Sequence, residues 1–339
     1  MAPSTRLGGF KILKDVVRIS PVFTDEDLHF PAGLCQVIAE EKINLPFVTC
    51  LNKGRSWGFH LAVDASESLK ASSVIKQNFG RISLQSTNSA ILSIFPHKRD
   101  PEIVGLLFET FDRGVLDPDA LANSPSAISI ILKEEYLQKA SRALFAPFSF
   151  SAYRTPADWT LAQKGKEKLY KEVVASYQEQ RPKVYGLEVH ENQTFVRVSL
   201  NGGDLHQLGA LFKKFAQSHV NLTFIATCPG TEEEIDVLAF CIPGSEKKTC
   251  TQLMNMIAPA MKVAYTSPVS VFSMTGPHFG DRYGIAKDLL MAFERENTDF
   301  LGLSCTIASV TGVVPARHME SATRAIQTCF EVPSIKKSA

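Results

Sequence analysis

Two short loops, each written twice, carry the side chains best suited to chemistry. Asp27-Leu28-His29 recurs 177 residues later as Asp204-Leu205-His206. Pro96-His97-Lys98-Arg99-Asp100 recurs 181 residues later as Pro277-His278-Phe279-Gly280-Asp281, with Pro, His and Asp at the same spacing. Each loop lies between a strand-like and a helix-like segment. An aspartate in that position caps free backbone N–H groups and complements the helix dipole. It also offers an acceptor to an ammonium group, while the adjoining helix N-terminus can meet a carboxylate. These are the two ends of an amino acid. Imidazole beside carboxylate also suits Zn, Fe, Ni or Mn, so a metal-binding or hydrolytic protein is the alternative reading. A purely structural interaction module is a third.

The loops repeat because the chain repeats. Val17-Arg18-Ile19-Ser20 answers Val196-Arg197-Val198-Ser199 at an offset of 179, and Ile43-Asn44-Leu45 answers Val220-Asn221-Leu222 at 177. Within each half, hydrophobic periodicity alternates between 2 and 3.6 in the order β-α-β-β-α-β, the ferredoxin-like order. A second unit in each half lacks a clear fourth strand, and each half begins with an orphan strand, Gly9-Phe10-Lys11-Ile12-Leu13 and Gly186-Leu187-Glu188-Val189. Unpaired strand edges are disfavoured. Phe10–Leu13 is therefore expected to pair with Ala90–Phe95, and Leu187–Val189 with Val269–Ser273, leaving the first unit of each half inserted in the second.

The expected fold is α+β: four ferredoxin-like βαββαβ units in two nested pairs with antiparallel sheets. Residues 1–155 hold the first pair, with an inserted unit at about 14–88 and a second unit at 9–13 plus 89–150. A helix at 156–182 links it to the second pair at 183–339, with an inserted unit at about 193–266 and a second unit at 184–190 plus 267–333.

Composition sets the background. The 339 residues are 45% hydrophobic, and 36 Lys and Arg against 35 Asp and Glu leave a formal charge of +1. No global field draws the chain to nucleic acid or a membrane surface. It contains no membrane-length apolar run and no signal peptide, so a cytoplasmic address is expected. Seven cysteines without a Cys-x-x-Cys pair read as reduced, mostly buried thiols. No metal or other cofactor is expected.

The order of elements resembles the regulatory region of aspartokinases, in which one ACT unit is inserted into another. Gly9-Phe10-Lys11-Ile12, Ile43-Asn44-Leu45 and Gly284-Ile285-Ala286 with Leu290 and Phe293 carry the resemblance. It covers nearly the whole chain, twice over. The resemblance implies ligand binding between the loops and a facing strand of a paired unit, which adds Asn52, Thr227, Cys228, Ser304, Cys305 and Thr306 to Asp27, Leu28, His29, His97, Asp100, Asp204, Leu205, His206, His278 and Asp281. It also implies that the first and third units pair, as do the second and fourth.

Only eight residues precede Gly9, and no Lys-Phe-Gly-Gly-Ser/Thr-Ser segment occurs. The family's Pro-Gly is replaced by Leu28-His29 and Leu205-His206. The chain is thus expected not to be an enzyme but a regulatory protein with a small amino acid effector. Its partners would be an amino-acid biosynthetic enzyme and further copies of itself.

Overall fold

The computed structural model describes residues 5–23, 30–54, 56–79, 83–163, 181–200, 204–230, 236–277, 279, 282–306 and 308–338. The first half contains β1 (Thr5–Leu7), β2 (Gly9–Phe23), α1 (Phe30–Glu40), β3 (Phe47–Asn52), β4 (Trp57–Asp64), α2 (Ser68–Asn78) and β5 (Ser83–Phe95). There follow α3 (Pro101–Arg113), β6 (Ala120–Asn123), β7 (Ile128–Lys133), α4 (Leu137–Ala143), β8 (Phe148–Phe150) and α5 (Pro156–Gln163). The second half contains β9 (Gly186–Leu200), α6 (Leu205–Gln217), β10 (Phe224–Cys228), β11 (Asp236–Pro243), α7 (Lys247–Ile257) and β12 (Val263–Thr275). It ends with α8 (Ile285–Arg295), β13 (Gly302–Thr306), β14 (Ser309–Pro315), α9 (Met319–Cys329) and β15 (Ile335–Ser338). The expected linking helix starts at Pro156, and its residues 164–180 lie outside the described residues.

The orphan strands pair as their open edges require. Gly9 to Leu13 lie antiparallel to Ile91 to Phe95, and Leu187 to Val189 face Phe272 to Met274. Each belongs to a fifteen-residue strand that keeps one long partner, β5 for β2 and β12 for β9, with a register shift midway. The shift comes at Asp15 (φ 57°) and Asn192 (φ 53°), where a left-handed residue breaks the ladder register.

Among the described residues, thirteen strands form one sheet in the order β11-β10-β6-β7-β5-β2-β4-β3-β13-β14-β12-β9-β15, and β11 also pairs with β9, so every strand of this sheet but β15 belongs to a closed ring. The sheet is mixed, which corrects the expectation of purely antiparallel sheets. β15 runs parallel to β9, and β8 runs parallel to β1 in a separate two-stranded sheet. β8 follows α4 and β15 follows α9, places where the sequence showed no clear strand.

The pairing across the halves also differs from expectation. β3 pairs with β13 and β6 with β10, while α1 packs on α8 and α3 on α6. Segment 14–88 therefore meets segment 267–333, and segment 89–150 meets 193–266, rather than first meeting third and second meeting fourth.

Alternation along the strands builds the layers. On β3, Val48 and Cys50 point into an outer core with Leu34, Ile38, Leu289 and Phe293 of the helices, while Phe47 and Leu51 point into inner cores between the sheet faces. A second outer core joins Phe108 and Phe111 of α3 to Leu211, Phe212 and Phe215 of α6. Helices thus cover the ring on both outer faces. The close approach of α3 and α6 depends on Gly105 and Gly209: a Cβ on Gly105 would lie 2.8 Å from the Gly209 carbonyl oxygen.

Candidate functional site

The two seams between the halves are built differently. At the first, β3 and β13 share a backbone ladder from Leu51↔Gly302 to Val48↔Cys305. A Cβ on Gly302 would sit 2.8 Å from Leu51 Cδ2, so a larger residue there would have to move the Leu51 side chain. At the second, β6 and β10 share only the bridge Ala122↔Ala226. Side chains extend that ladder on either side: Leu121 N–H donates to Thr227 Oγ1 at 2.9 Å, and Ile225 N–H donates to Asn123 Oδ1 at 2.8 Å.

A cavity of about 20 Å³ lies at the first seam where α8 begins. Ile38, Ile43, Leu45 and Val48 wall it from the first half, and Phe279, Gly284, Ile285, Cys305 and Thr306 from the second. Beside it runs a groove of about 670 Å³ that shares Ala39, Arg282, Gly284 and Lys287 with the cavity and adds Arg295, Glu40 and Asp288. Gly284 adopts φ +87°, a conformation glycine enters without a Cβ penalty, and it supplies no side-chain cap to α8. The first-turn N–H groups of α8 thus start beside the cavity, next to Arg282 and Lys287 and to the first-turn Asp288, whose Oδ1 lies 2.8 Å from Lys287 Nζ. Burial pushes the Cys35 thiol up to about 12 and the Cys305 thiol further up, so both are neutral wall groups.

The second seam carries a groove of about 410 Å³ between the start of α3 and the end of α6, lined by Asp100, Glu102, Lys213, His219 and Asn221 among others. Here the helix start is already occupied. Asp100 Oδ1 accepts from Glu102 N–H at 2.9 Å, Pro101 removes one donor, and Glu102 adds a negative charge in the first turn.

The structure scatters most of the loop and strand residues singled out in the sequence. His97 is buried and uses both ring nitrogens locally: Nδ1 accepts from Arg99 N–H at 3.1 Å and Nε2–H donates to the Ser124 carbonyl at 2.6 Å. Burial, more than any neighbouring charge, holds its pKa below the usual imidazole range. Asp204 and Leu205 lie at the start of α6, and the exposed His206 places Nδ1 3.4 Å from Asp112 Oδ2 at the end of α3. Asn52 Oδ1 accepts from Gly54 N–H at 2.7 Å, while the Asn52 carbonyl accepts from Arg197. Thr227 extends the second seam, and Cys228 is fully buried in an inner core. Ser304 donates to the Asn123 carbonyl at 3.2 Å across the ring.

Of the eleven described residues among these sixteen, only Cys305 and Thr306 line the seam cavity. Asp27, Leu28, His29, His278 and Asp281 lie outside the described residues. Sequence reasoning missed Leu45, Arg282, Gly284, Ile285 and Lys287 as site residues. Two of the motifs that hold them, Ile43-Asn44-Leu45 and Gly284-Ile285-Ala286, stood out in the sequence, but nothing there brought them together. Among the described residues, no group of three His, Cys, Asp or Glu side chains is placed to hold a metal ion, and no helix is long and apolar enough to cross a membrane.

The chain matches no protein-family model and no curated protein. Solved structures do match it. An aspartate kinase from Synechocystis aligns over 98% of this chain and 57% of its own, at 13% identity and a TM-score of 0.79. The ligand-free regulatory subunit of aspartate kinase from Thermus thermophilus aligns over 44% of this chain and 99% of its own, at 13% identity and a TM-score of 0.38. E. coli aspartokinase III in complex with lysine and aspartate aligns over 46% of this chain and 35% of its own, at 16% identity and a TM-score of 0.33.

The structural neighbours are thus aspartate kinases and their regulatory domains, and the first of them establishes the fold. The same match overturns the expectation that the chain is not an enzyme, because the protein whose fold it follows along 98% of its length is an enzyme, an aspartate kinase. The chain spans 57% of that kinase's length.

Proposed function

We propose that the chain binds a small amino acid at the seam where α8 begins, and that this binding regulates aspartate-kinase-type phosphoryl transfer in amino-acid metabolism. The observation that carries the reading is the cavity beside Gly284, which neither half forms alone and which opens among Arg282, Lys287, Glu40 and Asp288. Arg282, Lys287 and the first-turn N–H groups of α8 suit a carboxylate, and the carboxylates of the groove suit an ammonium group. A ligand there touches both halves, so its binding energy favours the arrangement in which they are docked.

In this reading the chain is a duplicated pair of nested ACT units. The inserted units cover about 14–88 and 193–266, and the outer units combine 9–13 with 89–150 and 184–190 with 267–333. The fold of the Synechocystis kinase supports it, and so does the register shift in the middle of β2 and β9. An amino-acid biosynthetic enzyme and a second copy of the chain are the proposed partners.

A thermal-shift screen against the twenty amino acids tests the proposal. At about 100 times its Kd, a ligand confined to the folded state stabilises it by roughly 2.7 kcal/mol. At least one small amino acid should raise the melting temperature in a saturable manner. No shift with any of the twenty would defeat the proposal and leave a structural module.

A further inference from the structure

Lys98 and Arg99, in the turn between β5 and α3, both have positive φ, 50° and 59°. Across them the His97 carbonyl accepts from Asp100 N–H at 2.8 Å. This is the pattern of a type I′ turn, which asparagine, aspartate and glycine favour because other side chains crowd the backbone there. Lysine and arginine gain nothing locally from that conformation, so contacts from outside the turn must hold it.

Those contacts come from the other half. The Arg99 guanidinium meets both carboxylate oxygens of Glu188 on β9, with Nη1 3.5 Å from Oε1 and Nη2 bonded to Oε2. The Arg99 carbonyl accepts from Leu222 N–H, just ahead of β10, at 3.4 Å. Burial favours a neutral Glu188, yet the Arg99 guanidinium outweighs it and holds the carboxyl below its usual range.

The turn is also tied to the second seam from its own side. Arg99 N–H donates to His97 Nδ1, and His97 Nε2–H donates to the carbonyl of Ser124, the neighbour of Asn123. Asn123 Oδ1 in turn serves Ile225 N–H beside the bridge Ala122↔Ala226. A contiguous run of bonds thus leads from Glu188 through the turn to the seam that has the shorter ladder.

We infer that the Lys98-Arg99 turn is a strained latch on the second seam: Glu188 and Leu222 hold it left-handed while the halves are docked there, and it relaxes when they part, so that turn and seam open as one unit. The sister turn is written without the charged partner. Phe279 and Gly280 stand where Lys98 and Arg99 do. Phe279 is buried against Phe330 of its own half, and glycine brings no side chain to a pair. The first seam relies instead on the ladder between β3 and β13.

Hydrogen exchange of the intact chain, followed by mass spectrometry, tests the latch. Peptides spanning 120–124 and 222–228 report the second seam, and those spanning 47–52 and 302–306 the first. Glu188→Gln and Arg99→Gln should each speed exchange at the second seam on the order of 5-fold, the scale of a partly buried charge-assisted pair, and leave the first seam unchanged. The double variant should exchange no faster than the faster single variant, since both remove one contact. Lys98→Gly should act in the opposite direction, slowing second-seam exchange by about 2- to 5-fold, because the Lys98 side chain is exposed and glycine enters positive φ without the steric cost.

Unchanged second-seam exchange in Glu188→Gln, equal acceleration at both seams, or effects that multiply in the double variant would overturn the latch. Exchange that quickens or stays the same in Lys98→Gly would overturn the strain on which it depends.

Discussion

Replacing Thr227 by Val separates two roles that the same hydroxyl could fill. In the structure Thr227 Oγ1 accepts from Leu121 N–H at 2.9 Å, while the Thr227 carbonyl accepts from Thr49 Oγ1 at 2.7 Å. The residue therefore stands in for a backbone partner at a seam with a single bridge pair. Valine keeps the shape and removes the acceptor, leaving the Leu121 N–H orphaned between the halves. An unsatisfied buried donor costs about 1–3 kcal/mol. Each kcal/mol corresponds to about 2–4 °C for a cooperative unit of about 150–250 residues. Chemical denaturation of both proteins should show a lower midpoint for Thr227→Val at an unchanged slope.

Asn123→Ala should behave similarly, since Asn123 Oδ1 serves Ile225 N–H on the other side of the same bridge. The double variant should lose less than the two single losses combined, because both act on one seam. Amino-acid affinity should be unaffected by Thr227→Val. A variant of unchanged stability whose ligand affinity falls would refute this reasoning and make Thr227 a ligand contact.

Two further perturbations test the packing and the buried charges. Gly312→Ala drives a methyl group into the Phe272 ring in a packed sheet face, so it should destabilise by about 1–3 kcal/mol. Adding Phe272→Leu should recover part of that loss, and additive losses would contradict the assigned contact. Stability should also fall as pH drops from 7 toward 5. His60 is held well below its usual range by burial and then by Arg18, and His97 by burial. Their folded pKa values lie below the unfolded value of about 6.5, so the unfolded chain takes up protons that the folded chain refuses. The stabilisation is complete above that value and is lost at up to about 1.4 kcal/mol per pH unit for each histidine. Asp117 and Asp119, pushed up chiefly by burial, act in the opposite sense as the pH falls through their own range. His60→Gln should reduce the slope between pH 7 and 5, and an unaltered slope would remove His60 from the account.

Much of the fold was legible because it follows from local rules. Phe10–Leu13 and Leu187–Val189 announced themselves as strands without neighbours, and the segments they pair with were the ones left incomplete. The pairing across the halves was not legible. Offsets of 177 to 181 make the two copies of each motif nearly interchangeable, so nothing in the order of elements says which copy of Ile-Asn-Leu faces which helix start. Small residues settle it in three dimensions: Gly302 lets β13 lie against Leu51, and Gly105 with Gly209 lets α3 lie against α6.

The candidate site was the least legible part for a related reason. Thr227, Ser304 and His97 carry polar atoms that look equally suited to a ligand in the sequence, and the structure uses them to join strands or close a turn. Gly284 and Leu45 carry no chemistry of their own. They matter because the fold brings an open helix start against an aliphatic wall.

A crystal structure of the chain grown with a saturating concentration of the amino acid that gives the largest thermal shift tests the central claim most directly. The account predicts electron density for that amino acid at the seam between Leu45 and Gly284, at the start of α8. Density at the starts of α3 or α6 instead, with the cavity beside Gly284 unchanged, would contradict it.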